Sequence, residues 1–317
     1  MTIRDVAALL RRQDNVLILT HRRPDGDTVG CAAALCAALR QLGKTAYLLF
    51  NPEITPNNAV YADPYWAAED FAPDFVVSVD IASKSLFYPA ALAYFDRIDL
   101  AIDHHPSFER FGKVNYQDHE KAACGEILYE LCCELGDITP EVALPLYAAV
   151  STDTGCFVYA NTTANTHRVA AALLDTGIDY FDVNKRHFRT KSRKRIALEA
   201  DLLSNMEFFH GGKGVFMAAS VELMERVEAD ESDAEDLSTL AGMVEGVDCG
   251  AVLRELRKDV WKLSLRTGAN GRVNATEACR LLGGGGHAMA AGATIDGTLQ
   301  QVKETILAAV DAVKKSD

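Results

Sequence analysis

Four short apolar runs lie in the first third of the chain, at residues 16–20, 45–50, 75–79 and 98–102, and three of them end in acidic or imidazole side chains. Runs of this length bounded by polar turns predict strands buried on both faces. Between and after them the pattern changes to Ala- and Leu-rich stretches without breakers. Residues 29–42 predict a helix closed by a glycine cap at Gly43, and residues 122–135, 141–150 and 164–175 predict three more, the last closed by Gly177. Residues 51–64 carry three prolines and three asparagines and predict a surface loop. Strands alternating with helices place this half in the α/β class with a mainly parallel sheet.

Residues 182–209 contain neither Pro nor Gly and predict one long helix. Its middle, residues 186–195, reads Arg-His-Phe-Arg-Thr-Lys-Ser-Arg-Lys-Arg. A solvated helix face is the ordinary role of such a run; in this chain it is also the candidate for contacts to a nucleic-acid backbone away from the site. Beyond it the pattern predicts a strand at 214–220, an acidic loop or helix start at 228–236, a hairpin from 248–257 and 260–267, and a helix at 275–282. Four glycines, Gly283 to Gly286, then precede His287, a short strand and a closing helix at 299–314. The glycine run lacks the Gly-Lys-Ser/Thr of a phosphate-binding P-loop and predicts a backbone nest that grips an anion. The expected division is therefore a catalytic domain at 1–185, a helical linker at 186–210 and a smaller α/β domain at 211–317.

Composition narrows the class. The hydrophobic share is 49%, yet no run approaches the roughly 18 apolar residues of a membrane span, and residues 1–12 lack the basic start and apolar centre of a signal peptide. The expected location is cytoplasmic, with no membrane partner. The eight cysteines form no Cys-x-x-Cys pair and predict reduced core thiols. A formal charge of −13 argues against coating duplex nucleic acid by charge alone.

The candidate chemistry sits at the strand and helix ends: His21, Asp25, Asp27, Asp80, His104, His105 and Asp153. Each alone has a bland reading. Asp25 and Asp27 flank Gly26 in a Pro-Gly turn, a lone aspartate such as Asp80 commonly starts a turn or caps a helix, and Asp153 could simply close a helix. A carboxylate at a helix C-terminus is nevertheless disfavoured by the dipole, which predicts a positive group nearby. Four carboxylates gathered in one place would raise each other's pKa or bind metal. Mixed carboxylate and imidazole donors suit manganese, with magnesium, iron, cobalt or zinc as substitutes. Two ions sharing a carboxylate would lie roughly 3.5–4 Å apart and clamp a phosphoryl centre.

These residues resemble the four N-terminal motifs of the DHH phosphoesterase superfamily: His21-Arg-Arg-Pro-Asp25-Gly-Asp27, Val79-Asp80, Asp103-His104-His105 and Ser151-Thr152-Asp153-Thr154-Gly155. Gly284-Gly285-Gly286-His287 resembles the signature of the DHH-associated C-terminal domain. The subgroup it is similar to is the stand-alone nanoRNase and phosphoadenosine-phosphate phosphatase type. That resemblance implies His21, Asp25 and Asp80 around one ion, and Asp27, Asp80, His104 and Asp153 around the other, with Asp80 bridging. It implies that Asp103 orients its neighbours, that His105 faces the substrate phosphate as a catalytic group, and that Arg266 with Gly284, Gly285, Gly286 and His287 grips substrate. The implied activity is manganese-dependent, two-metal hydroxide attack on short single-stranded RNA, dinucleotides and phosphoadenosine phosphate, in a cleft between the domains, with room for a homodimer. The alternatives are a cyclic di-adenylate or linear dinucleotide phosphodiesterase, an inorganic pyrophosphatase, which the glycine-histidine stretch disfavours, and a non-catalytic nucleotide- or RNA-binding regulator.

Overall fold

The computed structural model describes residues 1–234, 237–268 and 272–314. The chain divides into two units, residues 1–190 and 191–317.

The first unit is built on a parallel sheet of β1 (Val16–Leu19), β2 (Ala46–Leu48), β3 (Phe75–Val79), β4 (Leu100–Asp103) and β5 (Val114–Gln117), in the order β2-β1-β3-β4-β5. Every neighbouring pair is parallel. The chain steps outward from β1 to β2 and then returns to the other side of β1, so the order reverses between β1 and β3, where open α/β sheets form a crevice at the carboxyl ends of their strands. Strands β1, β3 and β4 are mostly apolar and buried along their whole length because both faces are covered. Val16, Ile18, Val77, Val79, Leu100 and Ile102 pack under α1 (Ile3–Leu10), α2 (Gly26–Gln41), α3 (Pro56–Ala62), α5 (Cys124–Leu135), α6 (Pro140–Asp153) and α7 (Ala164–Leu174). Leu17, Leu19, Val76 and Ala101 face the opposite layer with Ile81, Phe87 and α4 (Pro89–Leu92). Helix α2 runs through the middle, and its small residues let α6 approach: a Cβ on Gly30 would stand 2.2 Å from the Pro145 carbonyl.

Three expectations are corrected. The segment 51–64 is not all loop, because Pro56 occupies the first turn of α3, where proline is well suited to a helix start. The long helix at 182–209 is broken. Helix α8 (Tyr180–Asn184) runs into a turn of π-helix at Lys185–Arg189, and α9 (Arg193–Ser204) starts afresh after Ser192, whose hydroxyl accepts from the Arg195 amide as an N-cap. Residues 207–209 leave the helix altogether and form a strand.

The second unit carries a six-stranded sheet of β6 (Glu207–Phe209), β7 (Gly214–Ala219), β8 (Cys249–Arg257), β9 (Val260–Thr267), β10 (Gly285–His287) and β11 (Ala290–Asp296), in the order β10-β11-β9-β8-β7-β6. All pairs are antiparallel except β7 with β8. Helices α11 (Ala275–Leu281) and α12 (Leu299–Val313) cover one face, while α9, α10 (Val221–Arg226) and Leu237 and Leu240 cover the other. The glycine run is a third correction: Gly285 and Gly286 are strand residues paired with Gly292 and Ala291. A Cβ on Gly284 would stand 2.1 Å from the Gly292 carbonyl, so close strand approach is what requires glycine there. The end of the acidic stretch, residues 235 and 236, and the side chain of His287 lie outside what is described. All eight cysteines are free, six of them buried, with Cys133 exposed and Cys156 half-buried. No helix among the described residues is long and apolar enough to cross a membrane.

Candidate metal centre

The side chains singled out in the first unit converge on the carboxyl ends of β1, β3 and β4. His21 follows β1. Its Nδ1 lies 2.7 Å from the Arg22 carbonyl, a bond that needs the proton on Nδ1 and leaves Nε2 as a lone-pair donor. That Nε2 stands 3.4 Å from Asp25 and 3.9 Å from Asp80. His104, after β4, repeats the device: Nδ1 meets the Lys121 carbonyl at 3.1 Å. Its Nε2 faces Asp80 at 3.6 Å, Asp153 at 3.7 Å and Asp27 at 3.9 Å.

The carboxylates are fixed by helix starts and by the backbone. Asp25 is the N-cap of α2 and accepts from the Asp27 and Thr28 amides. Asp27, buried in the first turn of α2, accepts from the Cys124 amide at 2.7 Å and the Gly125 amide at 2.9 Å where α5 begins, and from the Cys31 thiol at 3.2 Å. Asp80 is buried and holds a left-handed backbone with φ of 57°, a strain for a non-glycine residue that proteins concentrate at functional sites. Its amide donates to the Ile102 carbonyl at 2.9 Å. Asp153 ends α6, where its carboxylate stands 3.7 Å from the His104 imidazole. Asp103, fully buried, accepts from the His105 amide at 2.6 Å and sits 2.9 Å from His105 Nδ1.

Among the described residues three sets of donor atoms lie within 4.8 Å of one another: His21, Asp25 and Asp80; Asp27, His104 and Asp153; and Asp80, His104 and His105. Asp80 belongs to two of them and stands within 3.6 Å of His104 of the remaining one. The set fits divalent cations on its own chemistry. Asp80 Oδ1 and Asp103 Oδ2 are buried without a hydrogen-bond partner, although buried carboxylate oxygens are ordinarily satisfied. Burial, reinforced by the charge of Asp27, drives the Asp80 carboxyl well above the usual range, and burial together with Asp27 and Asp25 pushes Asp153 up to about 8. Such crowding is relieved by cations.

This gives a pH-dependent expectation. A carboxyl whose folded pKa is raised weakens the metal-free protein as pH climbs from about 4, the unfolded value, toward about 8. A divalent ion bound to the ionised groups offsets that loss. Added Mn2+ should therefore raise Tm most near pH 8 and progressively less toward pH 6, where protons compete for Asp153. Thermal melts with and without Mn2+ across that range check this; a rise that grows toward pH 6 contradicts it.

In the second unit Arg266 lies on β9, half-buried, its Nη1 3.4 Å from the Leu265 carbonyl. Ala290 on β11 pairs with Arg266 on one side and His287 on the other. The backbones of these two substrate candidates thus share one row of the sheet, flanked by Gly285 and Gly286. Spacing gave no sign of the Cys124 and Gly125 amides or the Lys121 carbonyl, each contributed by main chain distant in sequence from the side chain it fixes. The start of a helix, with its unpaired amides, is the one signal that could have suggested the first pair.

Comparison with known proteins gives two family matches: the DHH family, N-terminal domain, over residues 15–150, and the DHHA1 domain over residues 216–316. The bifunctional oligoribonuclease and PAP phosphatase NrnA of Thermus thermophilus is 36% identical over 317 residues, covering 97% of this chain and 93% of that protein. The Bacillus subtilis protein of the same name is 25% identical, covering 89% and 90%. An exopolyphosphatase-related protein from Bacteroides fragilis shares the fold, with a TM-score of 0.88 at 22% identity over 98% of this chain and 95% of that one.

Proposed function

Since the chain belongs to the DHH family and is a hydrolase of phosphoric ester bonds, we propose that it degrades short oligoribonucleotides and phosphoadenosine phosphate, using two divalent ions with manganese as the preferred metal. The observation that carries this reading is the position of Asp80 between the His21–Asp25 pair and the Asp27–His104–Asp153 set, joined to the 36% identity with the Thermus thermophilus oligoribonuclease and PAP phosphatase. His21, Asp25 and Asp80 are assigned to one ion and Asp27, Asp80, His104 and Asp153 to the other. When bound, such ions supply Lewis acidity at phosphoryl oxygens and activate water.

The chain's own groups do the rest. Carbonyl bonds at Nδ1 keep His21 and His104 in the tautomer with Nε2 free. Asp103 holds the Nδ1 proton of His105, which leaves Nε2, when the ring is protonated, to donate to a phosphate oxygen as charge develops. To the second unit we assign the substrate grip, through the Arg266 guanidinium, the glycine stretch Gly284, Gly285 and Gly286, where the lack of a Cβ lets a phosphate approach, and His287. Arg266→Ala is expected to lower kcat/KM for short nucleotides by about tenfold to a hundredfold, the loss of roughly 1.5–3 kcal/mol from a charge-assisted phosphate contact. A small chromogenic phosphodiester without a terminal phosphate should suffer much less; equal losses on both would assign Arg266 to the fold.

The purified protein with Mn2+, given phosphoadenosine phosphate, RNAs of graded short length, cyclic di-adenylate and pyrophosphate in separate reactions, tests the reading. The first two should be turned over fastest. Cyclic di-adenylate or pyrophosphate at the head of the ranking would replace the substrate assignment, and metal binding without any turnover would make the protein a binder.

A further inference from the structure

The loop that follows Asp153 is built at a cost and leaves an aromatic ring at the surface. Gly155, Cys156 and Phe157 take successive left-handed conformations, with φ of 55°, 56° and 67°, and two of the three pay the Cβ penalty of that region. The loop is nevertheless fastened. Phe157 stacks on His167 with centroids 5.3 Å apart, the Val158 and Tyr159 amides both return to the Thr154 carbonyl at 3.0 Å, and Asn161 bonds the carbonyls of Asp153 and Ala122 at 3.1 and 3.0 Å. This folds Tyr159 back over the start of the loop: a Cβ on Gly155 would stand 2.4 Å from the Tyr159 ring. Tyr159 remains 51% exposed and its neighbour Val158 80%.

A surface tyrosine by itself means little. Here the ring is braced from beneath by a glycine that leaves it room, on a strained loop tied to the main chain of Asp153. We infer that Tyr159 is a stacking platform for a nucleobase of the short-nucleotide substrate, a specificity-determining residue on the loop that continues from Asp153 and is tied to its main chain. Every base offers a π-face to such a ring, so the platform accepts many sequences while favouring nucleotides over phosphate esters that lack a base. The assignment rests on the short-nucleotide reading given above.

Tyr159→Ala, Tyr159→Leu and Tyr159→Phe test it on a dinucleotide and on the same phosphodiester with abasic sugars, with metal content and Tm measured alongside. Leucine keeps apolar bulk over Gly155 without an aromatic face; phenylalanine keeps the face. The Ala and Leu variants should raise KM for the dinucleotide by about tenfold, the order of one base-on-aromatic stack, with kcat, bound metal and the abasic substrate little changed, and Phe should restore the wild-type KM. An unchanged KM in all three variants overturns the platform while the substrate reading stands. Equal losses on dinucleotide and abasic substrate, or lost metal, assign Tyr159 to holding Asp153. A wild-type protein that turns over no base-bearing nucleotide removes the reading and the platform together.

Discussion

Replacing Asp80 by alanine is expected to abolish hydrolysis of every substrate and to strip bound metal. Among the described residues Asp80 alone pairs with both His21 and His104, and it alone is assigned to both ions. It is buried, its Oδ1 has no hydrogen-bond partner, and its left-handed backbone keeps it at the end of β3. Without the shared carboxylate two cations would face each other unscreened. Retention of more than about a tenth of wild-type kcat, a cost below ~1.4 kcal/mol in the barrier, would show that Asp80 is not the bridge. Tm measured in the presence of EDTA separates this from misfolding: removing an uncompensated buried carboxylate should leave the metal-free protein at least as stable as wild type.

The second large effect separates the adjacent histidines. His104→Ala should lower both metal content and turnover, because Nε2 of His104 faces three carboxylates while its Nδ1 is tied to the Lys121 carbonyl. His105→Ala should cut kcat by about a hundredfold or more, the range of a lost general acid or charge-stabilising donor, with metal content near normal. Its Nδ1 is engaged by Asp103 at 2.9 Å and lies 3.5 Å from Asp80. The same metal loss in both variants would make His105 a ligand. Its membership of one donor set with Asp80 and His104 makes this comparison worth carrying out with metal analysis rather than kinetics alone.

The metal-binding candidates were readable because their chemistry is local. Apolar runs located β1, β3 and β4, and the acidic or imidazole residue after each run is the one the fold carries to the crevice. The motif containing Asp153 needed only a helix of the right length to bring it there. What holds these groups was not readable, since the amides that orient Asp27 come from Cys124 and Gly125 and the acceptor for His104 is the Lys121 main chain. Other misses had signals that periodicity outweighed. Thr2 and Asp5 form a capping box that starts α1, Ser192 could have been read as an N-cap interrupting the basic helix, and β5 is half-buried throughout and offers no apolar run. The four glycines predict an anion-gripping nest, not a strand, because sequence does not reveal that Gly284 meets the Gly292 carbonyl. An edge strand of glycine carries none of the β-branched residues that mark a strand in sequence.

The most direct test of the two-ion account is the number of Mn2+ ions bound per chain, measured by equilibrium dialysis with metal analysis at pH 8. The account predicts two for the wild-type protein. A single ion at saturation, or none, would contradict it.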